Sequence, residues 1–130
     1  QGTAGADFHP DLLTDSAQLV LRKGFRTAID SYSAFYENDK TTATGLEGYL
    51  KSRGISRLFL CGLATDFCVF YSAMDAVQAG FQTYLIDDAC RAIDLEGSLA
   101  QAHAALRAAG VTRINSAALA TGPGSNDLPE

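Results

Sequence analysis

The sequence predicts an α/β fold with a parallel sheet. Apolar runs of strand length alternate with stretches whose apolar residues recur every three or four positions. From Leu58 to Asn115 the order is strand, helix, strand, helix, strand, the pattern of a parallel sheet joined by helical crossovers. Glycines stand where the helical stretches end, at Gly54, Gly80 and Gly110, the usual place for a closing glycine.

Taken in order, the first ten residues read as loop, punctuated by Gly2, Gly5 and Pro10. Asp11 to Ser16 reads as a turn or a helical turn. Leu19 to Leu21 is a short apolar strand candidate, and Lys23-Gly24 follows at its end. Phe25 to Lys40 carries Phe25, Tyr32, Phe35 and Tyr36 without a clean period, so it reads as an aromatic loop packed onto the domain. Thr44 to Arg53 is a helix, with Thr44 as cap, Glu47 completing a capping box, and Leu46, Tyr49 and Leu50 inward.

The central strand, Leu58 to Gly62, leads into the turn Gly62-Leu63-Ala64-Thr65-Asp66. Phe67, Phe70, Tyr71, Met74 and Val77 then mark a helix that stops at Gly80. Gln82 to Ile86 is the next strand, ended by Asp87 and Asp88, whose expected role is capping and solvation. Asp94 to Ala109 is the last helix, with Leu99, Ala102, His103 and Leu106 on one stripe, and Val111 to Asn115 a last short strand. Residues 121–130, with two glycines and two prolines, read as a loose tail.

Composition narrows the class. Apolar content of 47% and charged content of 19% fit a soluble globular chain, and 130 residues make one domain with a real core. A net charge of −5 argues against a nucleic-acid partner. No apolar run is long enough to span a membrane, and no signal-peptide pattern is present. Three cysteines without disulfide-style spacing point to a reducing cytoplasm.

The chemistry centres on Cys68, in the first turn of the helix after the central strand. A helix N-terminus offers unpaired N–H groups and partial positive charge. Both favour a thiolate, and the same N–H groups are able to bind an oxyanion. Placement alone fits a catalytic thiol and a small buried residue equally well. Cys61, inside the apolar strand, reads as inert core, and Cys90 as core or loop filler. His9 reads as a loop histidine and His103 as a helix-face residue beside the core.

The run Gly62-Leu63-Ala64-Thr65-Asp66-Phe67-Cys68-Val69 resembles the nucleophile motif of the nicotinamidases (also pyrazinamidases), within the isochorismatase-like cysteine hydrolases. Gln1-Gly2-Thr3-Ala4-Gly5-Ala6-Asp7-Phe8-His9-Pro10 resembles a second family segment. Lys23-Gly24 with Asp30-Ser31-Tyr32-Ser33-Ala34-Phe35 resembles the lysine segment, and Asp87-Asp88-Ala89-Cys90-Arg91 a fourth. Four matches in the right order over about 90 residues are far more specific than one short pattern.

The resemblance implies a three-layer fold, a parallel sheet with helices on both faces, of which residues 1–130 form the C-terminal two thirds. It implies catalytic roles for Cys68 and Lys23, an oxyanion hole from the backbone N–H groups of Ala64 and Cys68, and a cis peptide between Leu63 and Ala64. Tyr32, Leu63 and Phe67 would wall the substrate pocket, although some members carry histidine where this chain has Phe67. The implied reaction is hydrolysis of nicotinamide, and of pyrazinamide, to the acid and ammonia through a cysteine thioester, in NAD salvage.

The implied catalytic aspartate and the ligands of a divalent metal (zinc, iron or manganese) belong to an N-terminal third that precedes the pattern at Gln1. No metal ligand is expected among residues 1–130. The first strands of the sheet would likewise lie outside this chain, leaving a parallel edge that a complementary N-terminal fragment of the same protein is expected to pair. A homo-oligomer stays open as a further partner. Two alternatives stand beside this reading: hydrolysis of another small amide or ureido compound, and a non-catalytic α/β module that only binds a partner.

Overall fold

A computed structural model describes residues 2–119, so the expected tail lies outside the described residues. Three parallel strands, β1 (Arg57–Leu63), β2 (Gln82–Arg91) and β3 (Thr112–Ile114), form a sheet in the order β1-β2-β3. Helix α1 (Leu46–Ser52) precedes β1. A π-helical turn, Thr65–Val69, runs directly into α2 (Phe70–Gln78), which connects β1 to β2, and α3 (Ser98–Ala108) connects β2 to β3. This is the alternation read from the apolar periodicity.

The core lies where α2 and α3 meet the sheet. Val69, Ala73, Leu85, Cys90, Leu106 and Val111 form one buried cluster. Phe35, Ala76 and Phe81 form a second, onto which Leu46, Leu50 and Leu58 pack. Full burial of a leucine such as Leu85 or Leu106 contributes about 2 kcal/mol. The aromatic loop therefore packs down as expected, with Phe35 as its anchor. On β1, Leu58, Leu60 and Gly62 are half-buried, whereas Phe59, Cys61 and Leu63 on the opposite face are exposed. Cys61 was expected in the core. The alternation of side chains along β1 puts it on the outward face instead.

Several boundaries differ from expectation. Leu19 to Leu21 forms no strand, and Leu19 and Val20 are exposed, because no strand among the described residues pairs with them. Helix α1 begins at Leu46, not Thr44. Gly45 occupies the cap with φ 92°, and the Thr44 hydroxyl is engaged by donating to the Ala34 carbonyl at 2.6 Å while accepting from the Leu46 amide at 3.2 Å. The capping box does not form, because the Glu47 carboxylate turns to Lys51 at 2.6 Å and Tyr36 at 3.1 Å. Helix α3 starts at Ser98 because Asp94, Glu96 and Gly97 all hold positive φ.

Strand β2 does not end at Asp87 and Asp88. Its pairing with β1 slips there: Leu60 pairs with Leu85, but Gly62 pairs with Cys90. The intervening residues form a bulge. Asp87 accepts from Arg113, and Asp88 accepts from the Ser116 amide at 2.7 Å and its hydroxyl at 2.5 Å. Of the pair expected to cap a strand end, only Asp88 caps, at Ser116, while Asp87 forms an ion pair with Arg113, and the strand resumes and carries Arg91 alongside Leu63. His103 lies half-buried on α3 near Asp87. Burial, with Arg113 adding to it, pushes its imidazole below the usual histidine value. No helix of the described residues is long and apolar enough to cross a membrane.

Candidate active site

β1 ends in Gly62-Leu63. Gly62 holds φ 124°, a conformation that glycine alone adopts readily, and the Leu63–Ala64 peptide is cis. The Ala64 carbonyl then accepts from the Phe67 and Val69 amides, both at 3.1 Å, which opens the π-helical turn. Cys68 lies in that turn, half-buried, at the head of the 14 residues of continuous helix from Thr65 to Gln78.

Lys23 arrives from the N-terminal loop. Gly24, with φ 69°, turns the chain behind it. The Lys23 ammonium donates to the Ser31 carbonyl at 2.6 Å and reaches the Cys68 sulfur at 3.5 Å. Two residues 45 positions apart thus meet, as expected. The carbonyl fixes the ammonium, and the fixed ammonium faces the thiol.

Ser72, buried one helical turn beyond Cys68, ties the aromatic loop to this helix. Its hydroxyl donates to the Cys68 carbonyl at 2.6 Å and accepts from the Ala34 amide at 2.9 Å. The loop's other anchor is aromatic. Tyr32 stacks on Tyr71 with ring centroids 5.5 Å apart and meets Phe67 edge-on at 6.0 Å. Lys40, which salt-bridges the buried Asp75 at 3.3 Å, lies 5.3 Å from the Tyr71 ring.

Beside the thiol is a cavity of about 480 Å³ lined by Tyr32, Leu63, Ala64, Phe67, Cys68, Arg91, Ala92 and Ile93. The three pocket residues expected from the sequence, Tyr32, Leu63 and Phe67, all line it with Cys68. Flat apolar walls suit a planar ring. A second, mainly apolar groove of about 430 Å³ follows the open edge of β1 and also reaches Lys23 and Cys68.

The sequence marks Asp66 only as part of the turn. Its carboxylate is buried, with one oxygen accepting from the Ile93 amide at 3.0 Å and the other from the Asp94 amide at 2.8 Å and the Ser98 hydroxyl at 2.5 Å. Burial alone would raise its pKa. The hydrogen bonds, that from Ser98 foremost, outweigh burial and hold the carboxyl below the usual range. An acidic residue opening a helix was the available signal. Arg91 and Ile93 were missed for another reason: their place depends on the β2 bulge, which has no local signature.

The remaining candidates lie elsewhere. Cys90 is in the core, where burial raises its thiol pKa. His9 is exposed, and its ring accepts from the Asp11 amide. Among the described residues no three His, Cys, Asp or Glu side chains gather as a metal site.

The chain belongs to the isochorismatase family: the model of the isochorismatase domain matches residues 1–118. It is 55% identical over 116 residues to a nicotinamidase of Acinetobacter baylyi, covering 89% of this chain and 54% of that protein. A nicotinamidase and pyrazinamidase structure from Acinetobacter baumanii superposes with a TM-score of 0.89 at 58% identity, covering 92% of this chain and 57% of the other. An L. infantum structure in complex with nicotinate gives 0.87 at 45%, covering 91% and 59%. This likeness confirms the fold class expected from the sequence. The chain spans about half the length of the curated relatives it matches, less than the two thirds expected.

A pyrazinamidase of Pyrococcus horikoshii, 31% identical with a TM-score of 0.73 over 88% of this chain and 59% of that one, was solved in complex with zinc. A divalent metal therefore occurs in the family. The described residues of this chain do not supply a site that fits one.

Proposed function

We propose that the whole protein hydrolyses nicotinamide, and pyrazinamide with it, to the acid and ammonia, as part of NAD salvage. The observation that carries this reading is the Lys23 ammonium 3.5 Å from the Cys68 sulfur, at the wall of a cavity lined by Tyr32, Leu63 and Phe67. The relatives' names support the substrate.

In this mechanism the ring lies between Tyr32, Phe67 and Leu63, with its carboxamide carbon at Cys68. The Cys68 thiolate, with the Lys23 ammonium 3.5 Å away, attacks that carbon. A C–S bond forms, and the carbonyl π pair moves to oxygen. The backbone N–H groups of Ala64 and Cys68 hold the resulting oxyanion. The oxyanion collapses, the C–N bond breaks, and the nitrogen leaves as ammonia after taking a proton. Water then attacks the thioester, releasing the carboxylate and restoring the thiol.

The proton transfers are assigned to an aspartate in an N-terminal part of the protein. That part would also hold a divalent metal, and it would pair as β strands with the open edge of β1, where the apolar groove lies. Residues 1–130 then form the C-terminal part of one isochorismatase-like domain. Free thiols at Cys61, Cys68 and Cys90 support a cytoplasmic location.

The test is ammonia release from nicotinamide by the full-length protein, alongside ureido compounds and other small amides. Turnover of nicotinamide that is abolished by Cys68→Ala is expected. Preference for a ureido substrate would replace the substrate assignment. No turnover of any of them by folded full-length protein would overturn the enzyme reading. Denaturing mass spectrometry of the same sample shows whether one or two polypeptides make the active species.

A further inference from the structure

We infer that Asp66 is a positioning residue that sets the shape of the substrate cavity by clamping the segment from Arg91 to Ser98 against the nucleophile turn. The inference rests on the reading of Cys68 and its cavity given above. Asp66 lies two residues before Cys68 and does not line that cavity. All three of its partners, the Ile93 amide, the Asp94 amide and the Ser98 hydroxyl, belong to the segment leaving β2. Arg91, Ala92 and Ile93 of that segment line the cavity together with Tyr32 and Cys68. The segment's other hydrogen bonds are local, among them those from the Ser98 amide to the Leu95 carbonyl at 3.0 Å and from the Leu99 amide to the Asp94 carboxylate at 3.3 Å, and Arg91 pairs with Leu63 at its start. Residues 93–97 are exposed, and Asp94, Glu96 and Gly97 all have positive φ. One buried carboxylate therefore joins the nucleophile turn, the cavity wall and the start of α3.

The chemistry calls for a carboxylate and not its amide. Both oxygens face donors, and two of those donors are backbone N–H groups that cannot reverse. In Asp66→Asn, either orientation of the amide points its NH2 at a backbone N–H, setting donor against donor at a part-buried site. The Ser98 hydroxyl is able to turn and accept, but the backbone is not. Negative charge here is also favoured by the adjoining helix N-termini of the Thr65–Gln78 stretch and of α3.

The test uses the full-length protein and two thiol reagents, with Cys68 modification followed by peptide mass. Iodoacetamide needs only the sulfur, whereas phenacyl bromide must also seat a flat ring in the cavity. Asp66→Asn is expected to lower the ratio of phenacyl to iodoacetamide rates by about tenfold, the scale of a wall displaced by part of an ångström. Ser98→Ala, which removes one of the three donors, should lower it by a smaller factor. Where nicotinamide is turned over, the Asp66→Asn loss should fall mainly on KM.

An unchanged ratio in both variants would overturn the inference. So would an equal fall in both reagent rates, which marks a role in folding alone. Should Asp66→Asn not accumulate as folded protein, Ser98→Ala decides by the same ratio. The reagent ratio does not depend on nicotinamide turnover. A protein inert to nicotinamide yet showing the altered ratio would sink the proposed function and leave the role of Asp66 standing.

Discussion

Replacing Lys23 by methionine keeps the length of the side chain and removes its charge. The ammonium lies 3.5 Å from the Cys68 sulfur. Two unit charges at that separation interact by about 1 kcal/mol in bulk water and by about 5 kcal/mol at an effective dielectric constant of about 20. Lys23 is half-buried, so a value of about 1–3 kcal/mol is reasonable after screening. At about 1.4 kcal/mol per decade, that is roughly a 5- to 150-fold loss in any step that needs negative charge on the sulfur. The assay is iodoacetamide alkylation at neutral pH and low salt, read peptide by peptide. Cys61, exposed on the outward face of β1, serves as an internal reference. The expected outcome is a Cys68 rate reduced by that factor with the Cys61 rate unchanged. An unaltered Cys68 rate would show that the ammonium does not act on the thiolate. A parallel fall at Cys61 would show that the substitution disturbed the sheet.

Further outcomes follow from other contacts. Ser72→Ala leaves the half-buried Ala34 amide without its acceptor, so thermal unfolding should show a loss of about 1 kcal/mol, with weakened binding of planar ligands as Tyr32 loosens. Gly24→Ala places an L residue at φ 69°, which should cost about 1 kcal/mol and reduce Cys68 alkylation by displacing Lys23. Asp66 has a folded pKa held below its unfolded value, so its stabilising contribution is complete above about pH 4 and is lost as pH falls through the folded value. Acid titration of unfolding should therefore show a steeper decline below pH 4 in wild type than in Asp66→Asn. Asp39, whose pKa is lowered to about 2 by Thr42 and Thr41, should titrate with a midpoint near pH 2 and release the 39–42 turn, visible as a local NMR shift.

Much of this architecture was legible in the residues because it is set locally. The run from Leu58 to Gly62 and the spacing from Phe67 to Val77 are periodic signals that tertiary contacts reinforce. The Lys23–Cys68 meeting came from ordered motif resemblance, since no local rule links residues 45 positions apart. What escaped depends on competition among partners. Thr44 and Glu47 satisfy the pattern of a capping box, yet Ala34 and Lys51 claim their side chains. Cys61 looked like core because its neighbours are apolar, but a strand with one buried face exposes every other residue. Leu19 to Leu21 has strand composition, and a strand exists only beside another strand. Asp66 showed its helix-opening position but not the segment it grips, because that segment lies 27 residues away.

The bulge in β2 acts as a reading frame for the two residues that follow it. Leu60 and Gly62 of β1 are two positions apart, whereas their partners Leu85 and Cys90 are five apart. That surplus decides that the thiol of Cys90 enters the core and that Arg91 reaches the cavity. Strand side chains alternate, so deleting one residue from Asp87 to Ala89 would exchange their faces, turning a guanidinium inward and a thiol outward. Insertions or deletions here would therefore act as missense changes at Cys90 and Arg91 without altering either codon. Among natural variants, the length of this short stretch should be held more strictly than its composition.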